Sequence, residues 1–193
     1  GIKEQEKKII AYHELGHAVT WHLLTHTDPI EKISIVRRGQ ALGITRTTPE
    51  EDRNLYSKAK FLDELVSLLG GRAAEEIFVG KEFITTGASN DFERATNIVK
   101  NMILKYGMDE EIGTVNYLND HEENEFVRPY SEKMAELLDQ KIKNYLDTAY
   151  TKSKKILTEN KDLIEKMCTI LLQKEYLSSE EFEKMMKGED LSE

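Results

Sequence analysis

The feature that most constrains this chain is a pair of histidines, His13 and His17, set four residues apart in a helical stretch. Apolar residues recur at helical spacing from about residue 3 to residue 26, which predicts one long helix there. Residues i and i+4 lie one turn apart on the same helix face, so both imidazoles can reach one metal ion. The spacing therefore predicts a metal centre on this helix.

Glu14 adds a catalytic group to the predicted metal centre. Residues 13–17 read His-Glu-Leu-Gly-His, which is the His-Glu-x-x-His pattern of zinc peptidases. Zinc in such sites takes two imidazoles and a third protein ligand, and one position stays open for water. Glu14 follows the first ligand and can take a proton from that water. The pattern predicts a zinc-dependent peptidase with Glu14 as general base.

Spacing alone leaves the third metal ligand open. At about 100° per residue, His22 and His26 point well away from His17 around the helix, so neither can join the pair. The remaining candidates are carboxylates on other predicted helices, and the spacing does not choose among them: Glu75, Glu76 and Asp91.

The rest of the pattern predicts a mainly α fold with a small β hairpin near the metal-binding helix. The hairpin strands are expected at 33–36 and 42–47, with a turn at 38–40. Further helices are expected at 57–79, from about 90 to 106, at 131–158 and 161–174, and after Ser178. Asn90 and Glu93 form a capping-box pattern at one helix start. Gly70 and Gly71 inside a helix predict close approach of a neighbouring helix, because each costs helix stability.

Two units are expected from this layout. Residues 1–127 would form a zinc peptidase core, and residues 128–193 a C-terminal helical bundle. The formal net charge of −9 argues against a nucleic-acid partner, which needs a basic face. The single cysteine, Cys168, excludes an intramolecular disulfide and favours a reducing compartment. No apolar run reaches the roughly 20 residues that span a bilayer, so this segment is expected to be soluble and free of membrane contact.

Four stretches of the chain together resemble the peptidase domain of the FtsH family, the membrane-anchored, ATP-dependent AAA+ zinc proteases. They occur in the family's order and cover much of the span from residue 5 to residue 117: 13–18, 38–43, 69–76 and 86–96. One departure is Leu15, where the family usually has Ala, and it leaves the ligand spacing intact.

The resemblance implies a set of roles. Asp91 would be the third ligand of one zinc ion per chain, Glu14 the catalytic base, and Glu75 an acid that orients a ligand or packs nearby. The substrates would be unfolded or membrane proteins. An ATPase module and a membrane anchor are expected upstream, outside this sequence. The ATPase module would use the ATP, since this sequence has no Walker A pattern. The full-length protein would be a homo-hexamer anchored in a membrane, with this domain on the cytoplasmic side in bacteria or inside an organelle.

The predicted hairpin carries a hypothesis of its own. Zinc proteases commonly hold substrate as an added strand along a sheet edge, so the backbone of five residues is expected to pair with it: Ala41, Leu42, Gly43, Ile44 and Thr45. The alternative is a hairpin that only packs on the helices. A rival for the whole chain is a zinc-stabilised assembly domain without catalysis. Glu14 argues against that rival, because a structural zinc site needs no base beside its ligand.

Overall fold

Helices make up most of this computed structural model, which describes residues 3–38, 41–46, 55–118 and 128–191. The α-helices of the described residues are α1 (Glu4–Leu23), α2 (Lys58–Ala74), α3 (Ser89–Leu104), α4 (Glu132–Glu159), α5 (Lys161–Lys174) and α6 (Ser179–Met186). The strands are β1 (Ile30–Arg38), β2 (Ala41–Arg46) and β3 (Tyr176–Ser178). The mainly α fold class with a small hairpin is confirmed. None of the described helices is both long and apolar enough to cross a bilayer.

The helix that carries the histidines ends three residues before the predicted end. At Leu24 the backbone turns to an extended conformation, with φ −90° and ψ 148°. The Thr27 hydroxyl donates to the carbonyl oxygens of Trp21, at 2.6 Å, and Leu24, at 3.2 Å. These bonds add hydrogen-bond donors for two carbonyl groups at the end of the helix, and the chain can turn towards β1 there.

The segment between α2 and α3 contains three short irregular turns. After Ala74 the chain continues as a π-helical turn (Glu75–Val79), followed by 3₁₀ turns at Lys81–Phe83 and Thr86–Ala88. The second 3₁₀ turn leads directly into α3, which begins at Ser89 without a side-chain cap. The capping box predicted from Asn90 and Glu93 is therefore wrong, because the preceding turn already brings the chain into helical geometry.

The sheet has three strands in the order β2-β1-β3, and both pairings are antiparallel. Ile33 of β1 pairs with Ile44 on one side and with Leu177 on the other. The hairpin of β1 and β2 is confirmed. The sequence pattern did not reveal β3, which is three residues long and lies between two helices.

Two apolar clusters hold the helices together. The first joins α1 and β1 to the C-terminal elements, where Leu15 and Ile33 are buried with Met167 and Phe182. The second joins α2, α3 and α4. Both clusters use residues from either side of position 127. The division into units 1–127 and 128–193 stays a prediction.

Helices α1 and α2 cross in close contact at Gly16 and Gly70. A Cβ atom on Gly16 would overlap the carbonyl oxygen of Gly70, and one on Gly70 would lie 2.6 Å from the carbonyl oxygen of Gly16. The Thr20 hydroxyl, which donates to the Gly16 carbonyl at 2.8 Å, also lies against Gly70. The close approach predicted from the two glycines of α2 is confirmed for Gly70.

Gly70→Ala tests this contact, because packing and helix propensity predict opposite signs. In an open helix position the change would stabilise the protein by roughly 0.5–1 kcal/mol. Against the backbone of α1 it should lower the free energy of unfolding by about 1–3 kcal/mol. Urea denaturation of the metal-free protein measures this. Thr151→Ala, on the exposed face of α4, is the control and should change little. A stabilised Gly70→Ala variant would contradict the contact.

Candidate metal centre

Three donor atoms from two helices converge beside α1. Nε2 of His13 lies 3.0 Å from Nε2 of His17, and Oδ2 of Asp91 lies 3.1 Å and 3.2 Å from these two nitrogens. The histidines lie one turn apart on α1, and Asp91 lies in the first turn of α3. Among the described residues these three side chains form a group that can hold one metal ion.

The size of this donor triangle fits zinc. Zinc binds imidazole nitrogen and carboxylate oxygen at roughly 2.0–2.2 Å with tetrahedral geometry, which places neighbouring donors about 3.3–3.5 Å apart. The observed edges of 3.0–3.2 Å need only a small expansion to reach that size. Three protein donors also leave the fourth tetrahedral position for another molecule.

Hydrogen bonds on the far side of each imidazole fix which nitrogen faces the triangle. Nδ1 of His17 lies 2.7 Å from the carbonyl oxygen of Ser67, which can only accept, so this nitrogen carries a hydrogen. Nδ1 of His13 donates in the same way to Oε2 of Glu75, at 2.7 Å. In the neutral rings both Nε2 atoms therefore present lone pairs to each other and to Asp91. Three acceptors facing one another require a cation between them.

The charges around the triangle reinforce this requirement. Burial lowers the pKa of His13, but its hydrogen bonds to Asp91 and Glu75 outweigh burial and raise that pKa to about 9. Burial raises the pKa of Asp91, but its bonds to His13 and His17 hold that pKa well below its usual range. The carboxylates of Asp91 and Glu75 thus favour a positive charge among these side chains. Either a proton on His13 or a bound metal cation would provide that charge.

Glu75 is fully buried and has partners for both carboxylate oxygens. Oε2 accepts from His13, while Oε1 accepts from the Thr85 amide at 2.8 Å and the Thr85 hydroxyl at 2.7 Å. Burial raises the pKa of Glu75, but these bonds lower it below its ordinary value. Glu75 begins the π-helical turn, an irregularity that is frequent at functional sites. It thus occupies the place expected of an acid that orients a metal-binding histidine.

Glu14 lines a cleft of about 240 Å³ in front of the donor triangle. Trp21 of α1, together with Asn90 and Arg94 of α3, lines the same cleft, which is mostly polar. The cleft therefore brings the expected base to the open side of the metal centre, beside groups that can hydrogen-bond a peptide.

The other residues considered from the sequence lie away from the triangle. Glu76 lies 4.0 Å from the Lys81 ammonium and 3.4 Å from that of Lys154. His22 is exposed and contacts the Phe182 ring edge-on, with 5.4 Å between ring centroids. His26 is exposed as well. The segment from Ala41 to Thr45 forms most of β2, which lies against α1.

Gly71 belongs to this site, although the sequence suggested only a helix contact for it. A Cβ atom there would lie 2.5 Å from Nε2 of His13 and 2.6 Å from Nε2 of His17. Its missing side chain leaves the space that a metal ion needs. The signal in the sequence was the second of two adjacent glycines, since Gly70 alone accounts for the helix crossing. The role of the Ser67 carbonyl could not be predicted from the sequence, because every residue has a backbone carbonyl group.

Gly71→Ala should abolish metal binding while the helices remain packed. The added methyl group would occupy the space in front of both imidazoles. We therefore expect zinc affinity to fall by more than the roughly 10- to 100-fold that the loss of a ligand-orienting group costs, and zinc to be lost on dialysis. Zinc content after dialysis, measured by atomic emission, reports this directly. Addition of a chelator should lower the Tm of the wild type and leave that of Gly71→Ala unchanged. Wild-type zinc content in the variant would contradict this assignment.

Comparison with known proteins extends the likeness over nearly the whole chain. The sequence profile of peptidase family M41 matches residues 1–185. A Thermoanaerobacter protein named ATP-dependent zinc metalloprotease FtsH 1 is 42% identical over 196 residues, which cover 98% of this chain and 32% of that protein. FtsH 2 of Petrotoga mobilis is 44% identical over 195 residues, with 96% and 30% covered. FtsH of Rubrobacter xylanophilus is 41% identical over 193 residues, with 96% and 29% covered.

This chain spans about a third of the length of these relatives. The match covers α1 to α5 and most of α6, including the donor triangle and the cleft. The resemblance drawn from four short stretches is confirmed, and this chain belongs to peptidase family M41.

Proposed function

We propose that this chain hydrolyses peptide bonds in protein substrates, with one zinc ion bound by His13, His17 and Asp91. The observation that carries this proposal is the donor triangle with edges of 3.0–3.2 Å, in which both Nδ1 atoms already have acceptors. Membership of peptidase family M41 supports the reaction class. The relatives' names, which include the words zinc metalloprotease, support the choice of metal.

The chain's own residues divide the work of hydrolysis. Zinc, when bound, would lower the pKa of water and polarise the substrate carbonyl. Glu14 takes a proton from the attacking water as the water oxygen bonds to the carbonyl carbon. It then gives that proton to the amide nitrogen as the carbon–nitrogen bond breaks, and the amine leaves. Glu75 and the Ser67 carbonyl keep the two imidazoles in the orientation that binds the metal.

Strand β2 is the proposed site for the substrate backbone. It pairs with β1 on one side, and within the described part of the chain no strand lies on its other side. It also lies against α1, the helix that carries Glu14 and both histidines. A substrate added as a strand along Ala41–Thr45 would gain main-chain hydrogen bonds independent of its side chains. Such binding suits an enzyme that cleaves many sequences.

The relatives' length suggests the setting of the reaction. They are named ATP-dependent, and this chain corresponds to about a third of each. The proposal is that an AAA+ module and a membrane anchor lie in the remaining part of the full-length protein. That module would use the ATP and feed unfolded or membrane proteins to this chain within a homo-hexamer. Residues 1–127 would form the zinc peptidase core with the metal centre and cleft, and residues 128–193 a C-terminal helical subdomain.

Glu14→Gln should abolish cleavage and leave zinc bound. Loss of a general base lowers the rate by roughly 100-fold or more, and the Glu14 carboxylate is not one of the three donors. The assay is hydrolysis of a fluorescently labelled unfolded protein by the zinc-loaded chain, with zinc content measured in parallel. Glu6→Gln, at an exposed position of α1, is the matched control and should cleave normally.

Equal cleavage by Glu14→Gln and the wild type would overturn the mechanism. A zinc-loaded wild type that cleaves nothing would favour the rival function, a zinc-stabilised assembly domain. Wild-type cleavage that is lost in Glu14→Gln and kept in Glu6→Gln would support both the reaction and the role of the base.

Neighbouring proline substitutions in β2 test the substrate strand. Successive residues of a strand direct their N–H groups to opposite sides, so Gly43→Pro and Ile44→Pro remove donors from different edges. One variant should weaken the pairing with β1 and lower the Tm. The other should keep its Tm and zinc content but cleave unfolded protein poorly, with a raised KM. Full cleavage by the variant that keeps its stability would contradict substrate pairing along β2.

A further inference from the structure

Thr85 contacts two segments beside the donor triangle: Glu75, which holds His13, and the turn at Gly87, which leads to Asp91. Its hydroxyl oxygen lies 2.7 Å from Oε1 of Glu75 and 3.1 Å from the amide nitrogen of Gly87. A hydroxyl has one hydrogen to donate and two lone pairs. The Glu75 carboxylate must accept and the Gly87 amide must donate, so Thr85 donates to the first and accepts from the second. One side-chain atom thus joins two segments that differ in their role at the site.

The first segment leads to His13. Glu75 uses Oε2 to hold the Nδ1 hydrogen of His13, and both bonds to its other oxygen come from Thr85. Glu75 is fully buried, so water cannot replace a hydrogen bond that its carboxylate loses. Without the Thr85 hydroxyl, the Glu75 carboxylate would have one donor fewer to hold its orientation. The hydroxyl of Thr85 therefore limits the angle at which Glu75 meets the His13 ring.

The second segment leads to Asp91. The Gly87 amide lies in the 3₁₀ turn Thr86–Ala88, which runs directly into α3, and Asp91 is the third residue of that helix. The carbonyl of Thr85 also accepts from the Arg72 guanidinium at 2.8 Å, so the backbone of Thr85 is held to α2. The Arg72 guanidinium lies over the ring of Phe92, the residue after Asp91, at 4.7 Å. The start of α3 is thereby fixed against α2, the helix that leads directly into Glu75.

We propose that Thr85 is a positioning residue that keeps His13 and Asp91 in register for metal binding. This rests on the proposed function, in which those residues hold zinc. A hydroxyl that only capped the 3₁₀ turn would need the bond to Gly87 and no bond to Glu75. Removing it would then affect the stability of the metal-free chain and leave zinc affinity unchanged. Bonds to both segments predict that zinc affinity itself depends on this hydroxyl.

Thr85→Val and Thr85→Ser separate these two roles. Valine keeps the shape and loses the hydroxyl, and we expect zinc affinity in a chelator competition to fall about 10- to 100-fold, the usual effect of losing a group that orients a ligand. The kcat for unfolded protein should fall with KM unchanged, since Thr85 is not among the residues that line the cleft. Serine keeps the hydroxyl and should recover most of the affinity. Thr169→Val, whose exposed hydroxyl bonds within α5, is the matched control.

Wild-type zinc affinity in Thr85→Val would overturn the proposal. It would also be overturned if Thr85→Ser lost as much zinc affinity as Thr85→Val. Circular dichroism of the metal-free variants checks that each one folds. If valine does not fold, Thr85→Ala replaces it and is judged by the same affinity comparison with serine. Zinc affinity does not depend on turnover. A wild type that binds zinc without cleaving would therefore count against the proposed function, and the affinity comparison would still decide the role of Thr85.

Discussion

The crossing of α1 and α2 at Gly16 and Gly70 brings two helix backbones close enough for one to supply groups to the other's side chains. Ser67 and Gly71 of α2 and Glu75, the first residue of the π-helical turn that continues it, lie four residues apart and so share one face. They give the histidines of α1 a carbonyl acceptor, an open space and a carboxylate, in that order along the helix. A larger separation would remove all three together. The metal centre is thus a consequence of helix packing as much as of its ligands.

The electrostatics of the centre follow from that packing. Glu75 is fully buried, and a buried carboxylate is costly unless its oxygens are hydrogen-bonded. Here one oxygen accepts from His13 and the other accepts twice from Thr85. Its negative charge therefore stays near the imidazole and strengthens that ring as a metal ligand. A neutral residue of the same shape at position 75 would leave His13 free to present either nitrogen.

Sequence reasoning predicted the part of the candidate site that lies on one helix. His13, Glu14 and His17 share five consecutive residues, so helical periodicity alone predicts that they share a site. Spacing alone did not identify Asp91 as the third ligand, because no local pattern says which distant carboxylate packs beside α1. Only the family resemblance implied that role for Asp91. Glu75 and Glu76 could not be separated either. Neighbours on a helix point about 100° apart, and the direction that faces α1 depends on tertiary packing.

The elements missed by sequence reasoning were also set by tertiary contacts. Strand β3 is only three residues long, too short for a period-two pattern, and it exists because β1 offers it a partner. The π-helical turn at Glu75 has no propensity signal that distinguishes it from the end of α2. Helix existence was predictable from periodicity, whereas helix ends depended on bonds such as those of Thr27.

The pairing of β1 with β3 has a consequence for how the chain is made. Ile33 lies beside Leu177, near the opposite end of the chain, and the core around α1 is completed by α5 and α6. Contacts between distant positions form late, because the ends of a long loop must first meet. During synthesis, the helix that bears the histidines leaves the ribosome well before α5 and α6, so its apolar face stays uncovered until those helices have been made. Completion of this core therefore waits for the synthesis of α5 and α6.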